Sequence, residues 1–250
     1  MYKDIDKEEL TLMGLFSTSW EIYKKCFKHI FLIILLYLPL YIVMDYLGIN
    51  FNSFRTRNSP LNIITIISGI ITVFINVGII FIVKERLIDF HNEDINIGYI
   101  LKESLSKWWD VLITELLSGL IIIGMTLLLI VPGIIWSIYY IFSLQVVVIK
   151  DLRGKEALDF SKEMVSGRWW KVFGTIFLFN LILGGISFCL FKFQTYYFGQ
   201  LSIITEIIVD IIGAISTVLI TIFFMNLDFN DHNSAEYKLE EYIEIDEESI

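Results

Sequence analysis

Six apolar stretches, each long enough to cross a lipid bilayer, divide the chain: residues 30–49, 61–83, 111–130, 133–149, 172–190 and 203–225. A helix rises about 1.5 Å per residue and the hydrocarbon core is about 30 Å thick, so about 20 apolar residues span it. With no water inside the bilayer, each backbone N–H and C=O must find its partner within the segment, and apolar runs of this length do so as helices. The expected fold is all-α: a polytopic integral membrane protein with six transmembrane helices. The hydrophobic fraction of 56% and charged fraction of 19% exclude an ordinary soluble domain, where about 45–50% and about 25% are usual.

Between the runs, the bases crowd into alternate gaps. Lys and Arg favour cytoplasmic loops, and fifteen of the 19 fall on one side. Lys3, Lys7, Lys24, Lys25 and Lys28 precede the first span; Lys84, Arg86, Lys102 and Lys107 fill the second loop. The fourth loop carries Lys150, Arg153, Lys155, Lys162, Arg168 and Lys171, whereas Arg55, Arg57 and Lys192 lie opposite. Both termini are therefore expected in the cytoplasm. The net charge of −9 is almost all in the last 24 residues, which hold nine acids and one base, Lys238. The expected domain organisation is one membrane unit over 1–226 and an acidic tail over 227–250. That tail is expected to be flexible, or to pair with the basic loops or a basic protein partner.

The third loop is minimal. One helix over 111–149 would be about 58 Å long, well beyond the hydrocarbon. Pro132-Gly133 sits near its middle, and a type II turn over Val131-Pro132-Gly133-Ile134 is expected, with Pro supplying φ and Gly accepting a positive φ.

Ahead of each odd-numbered span, apolar residues recur every three or four positions. They are Leu12, Phe16, Trp20, Tyr23 and Phe27; then Ile97, Leu101, Leu105, Trp108 and Leu112; then Leu158, Val165, Trp169 and Val172. Three cytoplasmic interfacial amphipathic helices follow, at about 10–28, 96–110 and 156–171. Trp20, Trp108, Trp109, Trp169 and Trp170 are expected as interfacial anchors, since the boundary offers the indole an apolar bed and an N–H partner together. The unit of amphipathic helix and two spans recurs three times, in parallel orientation.

From Ile130-Val131-Pro132-Gly133-Ile134-Ile135 to Trp169-Trp170 the chain resembles the YciC-like bacterial membrane proteins. The segment includes Val146-Val147-Val148, the turn Lys150-Asp151-Leu152-Arg153-Gly154, and Ala157-Leu158 with Ser161. It is also similar to the membrane domain fused to some glycerophosphodiester phosphodiesterases. Phe16-Ser17, Trp20 and Tyr23-Lys24-Lys25-Cys26-Phe27 fit the same families. The resemblance implies a six-span helical protein of the bacterial inner membrane and brings no catalytic motif with it. The acidic tail has no counterpart in that pattern.

Enzymatic motifs are absent: no phosphate-binding glycine loop, metal-binding His pair or nucleophile elbow. His29, His91 and His232 lack ligand spacing, so no metal or cofactor is expected. Cys26 and Cys189 are expected to remain free, and a basic start suited to a signal peptide is missing. The bases answer to topology and anionic lipid, not to nucleic acid. The remaining pointers are carboxylates inside spans, each costing about 2.5–3.5 kcal/mol on insertion scales. Asp45, Glu206 and Asp210 lie in the outer halves of the first and last spans, the latter two on one helix face. They form a candidate polar intramembrane site, with Arg55, Arg57 and Lys192 as candidate counterions. Glu115 is expected to snorkel to water, Asn76, Gln145 and Asn180 to bond between helices, and Gly119, Gly124, Gly184 and Gly185 to mark close packing. The expected function is non-enzymatic, with a structural, envelope-homeostasis or partner-binding role among membrane lipids. A small-solute or cation permease, and an accessory to glycerophospholipid headgroup metabolism, are the alternatives; oligomeric state is open.

Overall fold

The computed structural model describes residues 10–46, 63–88, 95–198 and 203–248, with the side chains at 44–45, 63–65, 191, 194–195, 197–198 and 232–248 outside that description. The elements are α1 (Leu12–Ile34), a 3-10 turn (Leu35–Tyr37), α2 (Leu38–Tyr46), α3 (Ile63–Ile88) and α4 (Ile97–Leu128). Then come α5 (Ile130–Tyr139), the single turn α6 (Ser143–Gln145), a π turn (Val146–Lys150), α7 (Lys155–Val165), α8 (Trp169–Phe198) and α9 (Ile203–Glu248). Six helical stretches among the described residues are long and apolar enough to cross a membrane: Leu12–Val43, Ile66–Ile88, Ile97–Leu128, Ile130–Lys150, Trp169–Leu190 and Ile203–Asp231. The chain is an all-α polytopic membrane protein.

Local chemistry sets the breaks. Thr11 caps α1 by accepting from the Gly14 N–H, and Asn96 caps α4 by accepting from the Tyr99 N–H. Pro39 has no N–H to give the carbonyl four residues back, and its ring crowds that carbonyl, so the helix tightens into the 3-10 turn at Leu35–Tyr37 before resuming. The expected type II turn at Pro132-Gly133 is not formed. The hairpin turns at one extended residue, Leu129 (φ −159°, ψ 145°), and Pro132 lies in the first turn of α5, where its missing N–H is no loss. Gly133 serves packing, not positive φ: a Cβ there would sit 2.0 Å from Thr126 Oγ1 on the opposing arm.

The amphipathic segments are helical, and two run straight into the following span. Neither Phe27-Lys28-His29 nor Trp109-Asp110-Val111 contains a helix breaker, so α1 and α4 are continuous. At 32 residues, α4 is about 48 Å long and must emerge from the hydrocarbon. The third segment, α7, stays separate because Gly167 turns the chain at φ +82°. The stripe Leu12, Trp20 and Phe27 faces outward, while Ser19, Ile22, Cys26, Ile30 and Ile33 pack inside.

Helices α1, α3 and α9 form the tightest unit, with α4 against α3, α5 against α4, and α8 against α9. Phe142 meets Phe223 and Phe224 at ring-centroid distances of 5.7 and 5.8 Å, all three essentially inaccessible. With lipid tails as apolar as the core, such packing contributes through dispersion and shape. Leu116, Leu120, Ile123 and Leu127, by contrast, lie outward along α4 at helical spacing. A second close approach between spans is at Gly78, whose Cβ position would fall 2.9 Å from Ile33 Cδ1; among the described residues nothing lies within 4 Å of the corresponding points at Gly119, Gly124, Gly184 and Gly185.

Candidate functional site

Helix α9 carries two carboxylate pairs, and each meets a different environment. The first is Glu206 and Asp210, one turn apart near the start of the helix. Tyr41 of α2 donates its hydroxyl to Asp210 Oδ2. Tyr37, one turn earlier and stacked on Tyr41 with centroids 5.6 Å apart, donates to Thr72 Oγ1 at 2.6 Å. Thr72 in turn donates to the Ser68 carbonyl at 2.8 Å. Two turns along α9, Thr217 donates to Asn76 Oδ1 at 2.9 Å. Three spans are thus joined by hydrogen bonds between their polar side chains, as buried hydroxyls and carboxylates in lipid favour.

Sequence spacing brought out Glu206 and Asp210 but not their tyrosine. A Tyr in an apolar run passes for a hydrophobe, although its hydroxyl needs a partner once buried; the pair Tyr37 and Tyr41, four residues apart on one face, was the available signal. Asp45 belongs to the last turn of α2, and its side chain lies outside the described residues, as do Arg55 and Arg57. Lys192 sits over the Phe188 ring of its own helix at 5.6 Å. Among the described residues no Lys or Arg pairs with Glu206 or Asp210.

The other expected polar residues part ways. Asn76 bonds across helices as expected, whereas Asn180 donates to the Ile176 carbonyl of its own helix. Glu115 does not reach for water: it turns inward and accepts from Ser143 Oγ at 2.7 Å. Gln145 is buried, and its Oε1 has no hydrogen-bond partner among the described residues, beside the π turn. Both cysteines are free.

The second carboxylate pair lies where the acidic segment begins. Leu227 is fully buried. Asp228 pairs with Lys150 at 2.7 Å, and Arg168 Nη2 donates to both oxygens of Asp231 at 2.6 and 2.8 Å. The acids at the start of the tail thus pair with the fourth basic loop. The same end holds Lys107 bonded to Asp151, and Arg153 3.7 Å from Asp110. The Lys107 ammonium beside Asp151 holds that carboxyl below its usual range. Asp151 itself takes the left-handed conformation (φ 62°) that ends the π turn, which a short polar side chain tolerates.

The tryptophan pairs divide their work. Trp109 and Trp170 are 67% and 78% exposed, and Trp20 is 51% exposed, so these three rings reach the surroundings. Trp169 instead stacks on Phe173 at 5.0 Å and donates its indole N–H to the Ile135 carbonyl at 3.3 Å. Trp108 lies edge-to-face with Trp109 at 5.1 Å. Between α7 and α9 opens a cavity of about 410 Å³ lined by Phe160, Glu163, Met164, Arg168, Asp228 and Asp231. Among the described residues no group of three His, Cys, Asp or Glu side chains is disposed to hold a metal ion. No protein-family model matches the chain, and no curated protein or solved structure matches it either.

Proposed function

We propose that the chain is a non-enzymatic multi-pass protein of the cell membrane, with both termini cytoplasmic and a structural or partner-binding role. The observation that carries this is the closed centre of the bundle. Phe142, Phe223 and Phe224 fill it, and Tyr37, Tyr41 and Thr217 bond to neighbouring spans while Thr72 and Asn180 bond to their own helix, instead of lining a path. A permease needs a polar route from side to side; a scaffold needs packed helices and an outward apolar surface. The 15 to 3 division of bases and the resemblance to YciC-like proteins of the bacterial inner membrane support the same reading. Reporter fusions within 50–60 and 199–202 test the orientation: active periplasmic reporters are expected, and cytoplasmic signals there overturn it. Proteoliposomes holding the purified chain are expected to show no ion-dependent solute uptake.

One observation favours cation or proton transport as the second reading. Asp210 sits in an apolar half of the bundle, held by a tyrosine hydroxyl with no Lys or Arg partner among the described residues. Uptake that disappears in Asp210→Asn would replace the scaffold reading with this one.

A further inference from the structure

The cavity between α7 and α9 combines features that a single charge type cannot use. Its volume of about 410 Å³ falls within the about 300–1,000 Å³ usual for ligand pockets. It lies at the boundary between apolar span and water: Lys150 ends the fourth span, Leu227 ends the buried part of α9, and the exposed Trp170 stands two residues from Arg168. Lipid headgroups occupy that depth.

The lining is bipolar. Within it Arg168 holds Asp231, and Asp228 is held by Lys150, whose ammonium is also 5.7 Å from the centre of the Phe160 ring. Glu163 of α7 is part of the same lining, exposed and with no cation partner among the described residues. Phe160 and Met164 supply the apolar part. A simple anion entering here meets three carboxylates, and a simple cation meets Arg168. A group carrying phosphate at one end and ammonium at the other, joined by a short methylene link, can meet both signs of charge at once.

Exposure decides which internal pair gives way. The Asp231 side chain is 45% exposed, against 18% for Asp228, so Asp231 can turn into water at small cost while Asp228 stays on Lys150. The guanidinium then meets phosphate with the planar fork of donors that suits it. We propose that this cavity binds the phosphoethanolamine group of a zwitterionic phospholipid, with phosphate on Arg168 and ammonium on Glu163. The site goes beyond the scaffold role and rests only on the embedding of the six spans.

Native mass spectrometry of the full chain, released from nanodiscs of phosphatidylglycerol containing a minor fraction of phosphatidylethanolamine, tests it. One phosphatidylethanolamine is expected to be retained about tenfold over its mole fraction, as one charge-assisted contact provides. Glu163→Gln, at an exposed position that does not bear on folding, is expected to bring retention near parity. Asp231→Asn, which removes one internal partner of Arg168, is expected to raise it. Displacement of the lipid by millimolar soluble phosphoethanolamine supports recognition of the headgroup alone; retention against it supports the lipid-borne form. Equal retention of the two lipids by the wild-type chain, or selectivity unchanged in Glu163→Gln, overturns the proposal. Neither result bears on the loop-fusion test of orientation, so the two readings fail separately.

Discussion

The two carboxylate pairs of α9 share a helix and nearly a spacing, yet they are satisfied by different chemistry. In the first pair Asp210, in apolar surroundings, meets the neutral hydroxyl of Tyr41. Asp228 and Asp231, about five turns further on, each meet a base. The physical reason is the cost of bringing a counterion. A Lys or Arg taken into hydrocarbon costs about 2.5–3.5 kcal/mol even on permissive scales, whereas a tyrosine brings a donor on an apolar ring. At the water boundary the same bases snorkel with little penalty and the ion pair becomes affordable. Helix α9 therefore records the polarity of its surroundings in the partners its acids have taken.

The sharpest way to break this contrast is to reverse one base. Lys150→Glu sets a carboxylate against Asp228 at a site where both native side chains are about one-fifth exposed. A loss of about 2 kcal/mol is expected, between the values for surface and fully buried pairs. It should appear as a lower thermal midpoint of the detergent-solubilised protein, and Lys150→Glu with Asp228→Lys should recover most of it. At the other pair, Tyr41→Phe keeps the ring and removes the donor. A loss of about 1 kcal/mol is expected, because Asp210 is left without that hydrogen bond. This loss should be the same at 50 and 500 mM NaCl, since screening does not act on a neutral donor in an apolar site. A salt-dependent loss at Tyr41 would mean that the two ends are not chemically distinct.

Much of this was legible from residue order, and the failures have a common cause. The six runs and the Glu206–Asp210 face follow from periodicity, a local property. Pro132-Gly133 marked the hairpin to within a few residues, but its geometry was misread. Proline has a second permitted position, the first helical turn, and Gly133 is there because Thr126 faces it. That contact joins two spans and has no signature in either alone. Likewise Gly78 and not Gly119 meets a neighbour, and Asn76 but not Asn180 bonds across helices. Which face of an apolar helix turns inward is decided by its partners, and six apolar runs offer few polar residues to disclose it. The partners of the first tail acids were hidden for the same reason: Asp228 and Asp231 are held by Lys150 and Arg168, 60 residues or more away in sequence.

Smaller effects sharpen the charged end. Asp231→Asn removes a pair whose carboxylate is 45% exposed, and a loss of about 0.5 kcal/mol is expected, absent at high salt. The smallest effect belongs to Asp151. Its carboxyl is held below the ordinary value of 3.8, first by the hydrogen bond from Lys107 and then by that ammonium's charge. A carboxyl whose folded value is depressed contributes stability that is fully present above its unfolded value and is lost as pH falls through the folded one. The Lys107–Asp151 contact is therefore expected to hold unchanged from neutrality down to about pH 4 and to weaken only below that. Thermal midpoints of the wild type and Asp151→Asn measured from pH 7 to pH 3 check it. The small gap between them should persist to about pH 4 and close beneath it, and a gap that closes nearer pH 6 would require a different titrating partner for Lys107.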